Sequence, residues 1–124
     1  HFNMQIEPDI TIQTNRDSFR QMLTILLDNA LKYTPDHGYI HLSLTRNGRH
    51  TQIIEENTCD PSFEPDPERL FERFYRGDAA RTQSKESSGY GIGLSAARAI
   101  CENFGGKLTA GYPSAGSIRF TARF

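Results

Sequence analysis

The feature that most constrains this chain is a change of period. From Phe19 to Leu31 the apolar residues Phe19, Met22, Leu23, Leu26, Leu27, Ala30 and Leu31 recur at helical spacing. On either side they alternate instead: "MQIEP" and "ITIQT" before, "YIHLSLT" and "HTQIIEE" after. A helix with one apolar stripe must lay it on a second layer, and a sheet with one apolar face provides that layer. Local chemistry marks the borders. Thr14 or Asn15 can cap the helix, Asp17 suits its positive first turn, and Pro35 with Gly38 ends it after Tyr33. "NGR", residues 47–49, is a hairpin turn signal between two strands, the second ending at Glu56.

The rest of the chain repeats this logic. Residues 57–67 hold Pro61, Pro65 and Pro67 without a period and read as a loop. "PERLFERFY" is a short helix at most, and 77–89 is a polar segment expected to be mobile. "GIGLSAARAICENFGG" reads as a second helix, with Leu94, Ala97, Cys101 and Phe104 as its stripe and Gly105-Gly106 as its stop. "KLTAGY" and "GSIRFTARF" read as a closing hairpin. The predicted class is α+β: a two-layer α/β sandwich with helices packed on one face of a mixed sheet, one domain over 1–124.

Composition narrows the function. With 14 basic against 15 acidic residues, nothing favours nucleic acid or an anionic lipid surface as partner. No apolar run reaches the roughly 20 residues that span a bilayer. Two cysteines, Cys59 and Cys101, are too few for a disulfide framework and lack metal-ligand spacing, which points to a reducing, cytosolic setting.

Three segments carry candidate chemistry. In "ILLDNALKYTP" an amide, Asn29, interrupts an apolar helix, and Lys32 and Tyr33 lie three and four residues on, along one edge. Such an edge suits a metal, a phosphate and a base, or is simply a wet helix face. In "SSGYGIGLSAARAI", Gly89, Gly91 and Gly93 alternate just before a helical stripe, a pattern suited to phosphate binding or to plain turn geometry. In "LFERFYRGD", Phe71, Phe74 and Tyr75 pack a short amphipathic turn, leaving Arg73 and Arg76 polar.

Taken together, these segments resemble the asparagine box, the phenylalanine box and the second glycine box of the catalytic ATP-binding domain of sensor histidine kinases. The boxes are Asn29 to Pro35, Phe71 to Arg76 and Gly89 to Leu94, in the family's order, and the resemblance covers nearly the whole chain. It implies the Bergerat ATP-binding fold and the cofactors ATP and Mg²⁺. Asn29 would be the Mg²⁺ ligand, Lys32 would touch phosphate and Tyr33 would lie against the adenosine. Gly89, Gly91 and Gly93 would shape a lid hinge and offer backbone donors to the triphosphate, with Arg76 and Leu94 beside the nucleotide. It further implies a phosphoryl transfer to a histidine on a separate dimerisation domain, then to a response regulator. The parent would be a sensor in the inner or plasma membrane, and this domain would be cytoplasmic, touching neither membrane nor nucleic acid. His1, His37, His41 and His50 fall in no such helical phosphoacceptor pattern, so no catalytic histidine is expected here.

The chain departs from the family in two places. Counting back from Phe71, Asn57 stands where the family's first glycine box has its aspartate, and Cys59 and Pro61 stand at its two glycines. Asn57 still accepts a hydrogen bond from an adenine amine but lacks the charge, while Pro61 fixes φ and removes an N–H. Ile25, one turn before Asn29, cannot activate water as the glutamate of the gyrase and heat-shock chaperone types does, which argues against a hydrolase. The two readings are therefore a kinase domain with a degenerate adenine loop and a pseudo-kinase module that binds nucleotide weakly and acts through protein contacts.

Overall fold

In the computed structural model, residues 1–8, 15–62, 64–72 and 90–124 are described, with only the backbone at 47 and 90–92. The elements are β1 (Phe2–Ile6), α1 (Arg16–Tyr33), β2 (Ile40–Asn47), β3 (His50–Thr58), a 3₁₀ turn (Pro67–Phe71), α2 (Tyr90–Asn103), β4 (Lys107–Ser114) and β5 (Ser117–Arg123). The five strands form one sheet in the order β1-β2-β3-β5-β4. β1 pairs parallel with β2, and the other neighbours are antiparallel. The sheet is mixed, and both helices cover one face of it, as the change of period requires.

Local signals explain the borders. Asn15 caps α1, its side chain accepting from the Ser18 N–H at 3.1 Å. At the other end the Thr34 hydroxyl donates to the Ala30 carbonyl at 2.6 Å, ahead of Pro35. Gly48 takes φ +63° in the β2–β3 turn, a conformation open to glycine at little cost.

The core lies between the layers. α1 contributes Met22, Leu26 and Ala30, α2 Leu94, Ala97 and Cys101, and the sheet Leu42, Ile53, Leu108, Phe120 and Ala122, with Phe71 closing one end. Burying each large side chain contributes roughly 1.5–3 kcal/mol. Phe71 meets Phe120 edge to face, centroids 6.1 Å apart. Phe104, expected in the α2 stripe, is half-buried against Phe124.

Two expectations are corrected. Leu31 is 64% exposed, because the buried line of α1 runs through Met22, Leu26 and Ala30, and Leu31 stands about 100° round from Ala30. β3 does not end at Glu56. It runs to Thr58, so Asn57 is a strand residue paired with Ile40 on one side and Ile118 on the other. Two flanking strands satisfy the backbone there, and that outweighs the polar sequence. Gly91 and Gly93 stand in the first turn of α2, which begins at Tyr90, one residue before the helix read from "GIGLSAARAICENFGG". The polar segment 77–89 lies outside the described residues.

Candidate functional site

Three elements meet around the predicted residues. α1 presents Asn29, Lys32 and Tyr33, all half-buried, on the flank of its buried line. The first turn of α2 lies against α1: a Cβ on Gly93 would stand 3.5 Å from the Ile25 methyl Cγ2. Ile25 is one turn before Asn29, so the amide lies next to the N-terminal turn of α2. The first N–H groups of a helix lack partners within it and carry its positive dipole end, so Asn29 flanks a place suited to anions. The end of β3 approaches the C-terminus of α1 through the tight turn at Gly38. A Cβ at Gly38 would lie 2.7 Å from Thr34 Cγ2 and 3.1 Å from Thr58 Cβ, and only glycine fits. Thr58 is tied to the same turn, accepting from the Tyr39 N–H at 3.0 Å.

Asn57 forms the floor beside this junction. It is 1% exposed, and its Nδ2 donates to the Thr58 carbonyl at 2.9 Å. Its Oδ1 is buried with no partner. A buried acceptor without a donor costs about 1–3 kcal/mol, and a ligand amine is one way to satisfy it. Asn29 likewise has no side-chain partner among the described residues. Among those residues no three His, Cys, Asp or Glu side chains converge on a metal site. Mg²⁺ does not require one, since it binds through one or two side chains with phosphates and waters completing the shell.

The loop after Asn57 holds together without glycines. The Cys59 N–H donates to the Gly116 carbonyl at 2.8 Å, and Ser62 donates to Asp60 Oδ1 through its N–H at 2.9 Å and its hydroxyl at 2.6 Å. Those two bonds hold the Asp60 carboxyl below its ordinary range. Farther along, the Gly116 N–H donates to Glu64 and the Tyr112 hydroxyl to the Pro65 carbonyl. The loop is thus clasped to the β4–β5 turn.

Two residues escaped the sequence reading. Arg98 on α2 stacks its guanidinium 3.8 Å from the Phe71 ring centroid, grips Glu68 with both terminal nitrogens at 3.1 Å, and donates to the Leu108 carbonyl. It holds the 3₁₀ turn, and so the start of the phenylalanine segment, against α2 and β4. Glu55, two residues before Asn57, is wholly buried, and neither carboxyl oxygen has a partner. Burial first, and the neighbouring Glu56 charge second, push its carboxyl up to about 8. Its only sequence signal is being in phase with Ile53. Of the predicted site, Leu94 is a core residue at 8% exposure, and Arg76 and Gly89 lie outside the described residues. A shallow concavity of about 270 Å³, lined by Thr109, Arg119 and Thr121 among others, sits on the sheet face opposite the helices and is not part of this site.

Residues 14–124 match the family described as histidine kinase-, DNA gyrase B- and HSP90-like ATPase. The sensor protein CiaH of Streptococcus pneumoniae is 39% identical over 100 residues, which is 80% of this chain and 22% of CiaH. This chain therefore spans about a fifth of that relative. Among solved structures, the mycobacterial sensor histidine kinase MprB superposes with a TM-score of 0.84 at 22% identity, covering 99% of this chain and 81% of that one. Histidine kinase ThkA, solved in complex with the response regulator protein TrrA, gives 0.77 at 22% identity, covering 99% of this chain and 33% of that one. No helix among the described residues is long and apolar enough to cross a membrane.

Proposed function

This chain belongs to the histidine kinase-, DNA gyrase B- and HSP90-like ATPase family, and on that premise we propose that it is the ATP-binding catalytic domain of a sensor histidine kinase. In the parent protein it supplies the γ-phosphoryl group to a histidine on a neighbouring dimerisation domain, from which a response regulator takes it. The observation that carries this reading is the unpartnered Asn57 Oδ1, an acceptor buried at the junction of β3 with the asparagine-bearing helix. It matches the exocyclic amine of adenine.

The remaining roles follow from residue chemistry. Asn29 offers its amide oxygen to Mg²⁺, and Lys32 its ammonium to phosphate. Tyr33 packs on the nucleoside. Backbone N–H groups around Gly89 and Gly91 receive phosphate oxygens, with Arg76 adding charge; Gly93 contributes by letting α2 lie close to Ile25. Bound Mg²⁺ neutralises triphosphate charge. Because Ile25 offers no base, the site holds ATP for transfer and leaves water unactivated. The domain works on the cytoplasmic side of a membrane-anchored sensor and touches neither the bilayer nor nucleic acid.

Binding is weak, since Asn57 lacks the carboxylate charge that roughly doubles such a hydrogen bond. Titration calorimetry with Mg-ATP tests this: a dissociation constant well above a micromolar, abolished by EDTA, is expected. The pseudo-kinase reading draws on the loop clasped to Gly116, which replaces a flexible glycine loop. Absence of any heat at millimolar Mg-ATP would favour it.

A further inference from the structure

Among the described residues the buried side-chain atoms without a partner are three: Asn57 Oδ1, Glu55 Oε1 and Glu55 Oε2. They do not scatter. Both residues lie on β3, two apart, and so on one face roughly 6.5–7 Å from each other. The cross-strand partners of Glu55 are Leu42 and Phe120, both core residues, which sets that face toward the helices. A wholly buried carboxyl with no donor beside a buried amide with a free oxygen is costly to fold for nothing.

We propose that Glu55 is a specificity-determining residue that reads the nucleobase together with Asn57. The inference rests on the nucleotide-binding reading above and adds the base. The argument is a count of donors and acceptors. Asn57 has committed one of its two Nδ2 hydrogens to Thr58, leaving one acceptor and one N–H donor. Glu55 in its acid form adds one acceptor and one O–H donor, and burial holds it in that form at neutral pH. The pair presents two acceptors and two donors, the Glu55 O–H and the second Asn57 N–H. Adenine presents the complement: the two N–H donors of its amine and the ring acceptors N1 and N7 on either side of it. Hypoxanthine has a carbonyl in place of the amine and an N–H at N1, so it offers one donor and leaves at least one of the two acceptors unsatisfied. A missing partner in a buried polar site is what gives strong discrimination. The carboxyl that Asn57 lacks is thus supplied from two residues earlier on the same strand face.

The test is calorimetric titration of the 124-residue chain, as parent, Glu55→Gln and Glu55→Leu, with Mg-ATP and Mg-ITP. The expected result is a parent preference for ATP of about tenfold or more, one lost hydrogen bond's worth. Glu55→Gln keeps a donor and an acceptor and retains most of that preference. Glu55→Leu loses about tenfold in ATP affinity but little in ITP affinity, so the two nucleotides converge. Circular dichroism of each variant establishes folding, and if Glu55→Leu does not fold, the ATP/ITP ratio of the parent and of Glu55→Gln decides. A parent that binds ATP and ITP alike, or a folded Glu55→Leu with undiminished preference, overturns this proposal and leaves the ATP-binding function standing. A parent that binds no Mg-ATP overturns both.

Discussion

Glu55 also makes a prediction that needs no ligand. Its carboxyl is wholly buried and unpartnered, and its pKa stands at about 8 in the fold against an ordinary 4.5. The unfolded chain releases this proton near pH 4.5, while the folded chain keeps it until about 8. Between those values folding takes up a proton, so stability falls as pH rises. Below that window both states are protonated and the penalty is absent; above it both are ionised and the penalty is complete. At 1.36 kcal/mol per pH unit, the whole window is worth on the order of 5 kcal/mol, with about 3 lost by pH 7. Glu55→Gln removes the proton while keeping shape and polarity. Urea denaturation of parent and variant from pH 5 to 8 measures the difference. The Gln variant should gain on the parent by about 1.4 kcal/mol per unit through this range and be nearly level with it at the acid end. The lowered carboxyls Asp60 and Glu68 contribute with the opposite sign at lower pH, but equally in both proteins, and cancel. Parallel stability curves would refute the reasoning and mean that Glu55 is ionised and satisfied in the fold.

Asn29→Ala should leave thermal stability unchanged or slightly raised, alanine being the better helix former, while calorimetry shows Mg-ATP binding lost. The triple change Asn57→Asp, Cys59→Gly, Pro61→Gly should strengthen ATP binding by roughly 1–3 kcal/mol, through a charged acceptor and a freed backbone, and lower the ligand-free melting temperature, since the loop also loses conformational restraint. Arg98→Lys should lower the melting temperature measurably, because an ammonium cannot stack on Phe71, fork onto Glu68 and reach Leu108 at once, whereas Glu68→Gln should change it little. Phe120→Ala should cost about 3–5 kcal/mol in urea denaturation, as expected for a buried aromatic ring.

How much could be read beforehand follows from where each piece of information resides. α1 was legible because its determinants are local: the Asn15 cap, the stripe and Pro35 lie within it or next to it. The β2–β3 hairpin was legible from Asn47-Gly48 for the same reason. The end of β3 was not, because Asn57 and Thr58 remain in strand through pairing with residues 118 and 117, far along the chain. Glu55 was the least legible. "IIEE" places an isoleucine and a glutamate on each face of the strand, and only the register against Leu42 and Phe120 decides that Glu55 goes inside while Glu56 meets Arg119 in the open. For the site, the asparagine helix could be named from spacing and resemblance. Arg98 carried no local signal, since its partners come from the 3₁₀ turn and β4.

The strand order carries a kinetic consequence. β2–β3 and β4–β5 are each hairpins closed by short turns, but the sheet becomes one only when β3 finds β5, across about sixty to seventy residues. Closing a loop of that length costs about 2–3 kcal/mol more entropy than closing a hairpin turn, so this seam is the slow zipper of the fold. Asn57 lies in that seam, opposite Ile118. On the binding proposed above, a nucleotide held at Asn57 would act as a clip across this long-range joint. Its bound presence should show up in the rate at which the two hairpins part, as slower amide exchange at 53–57 and 118–122 together.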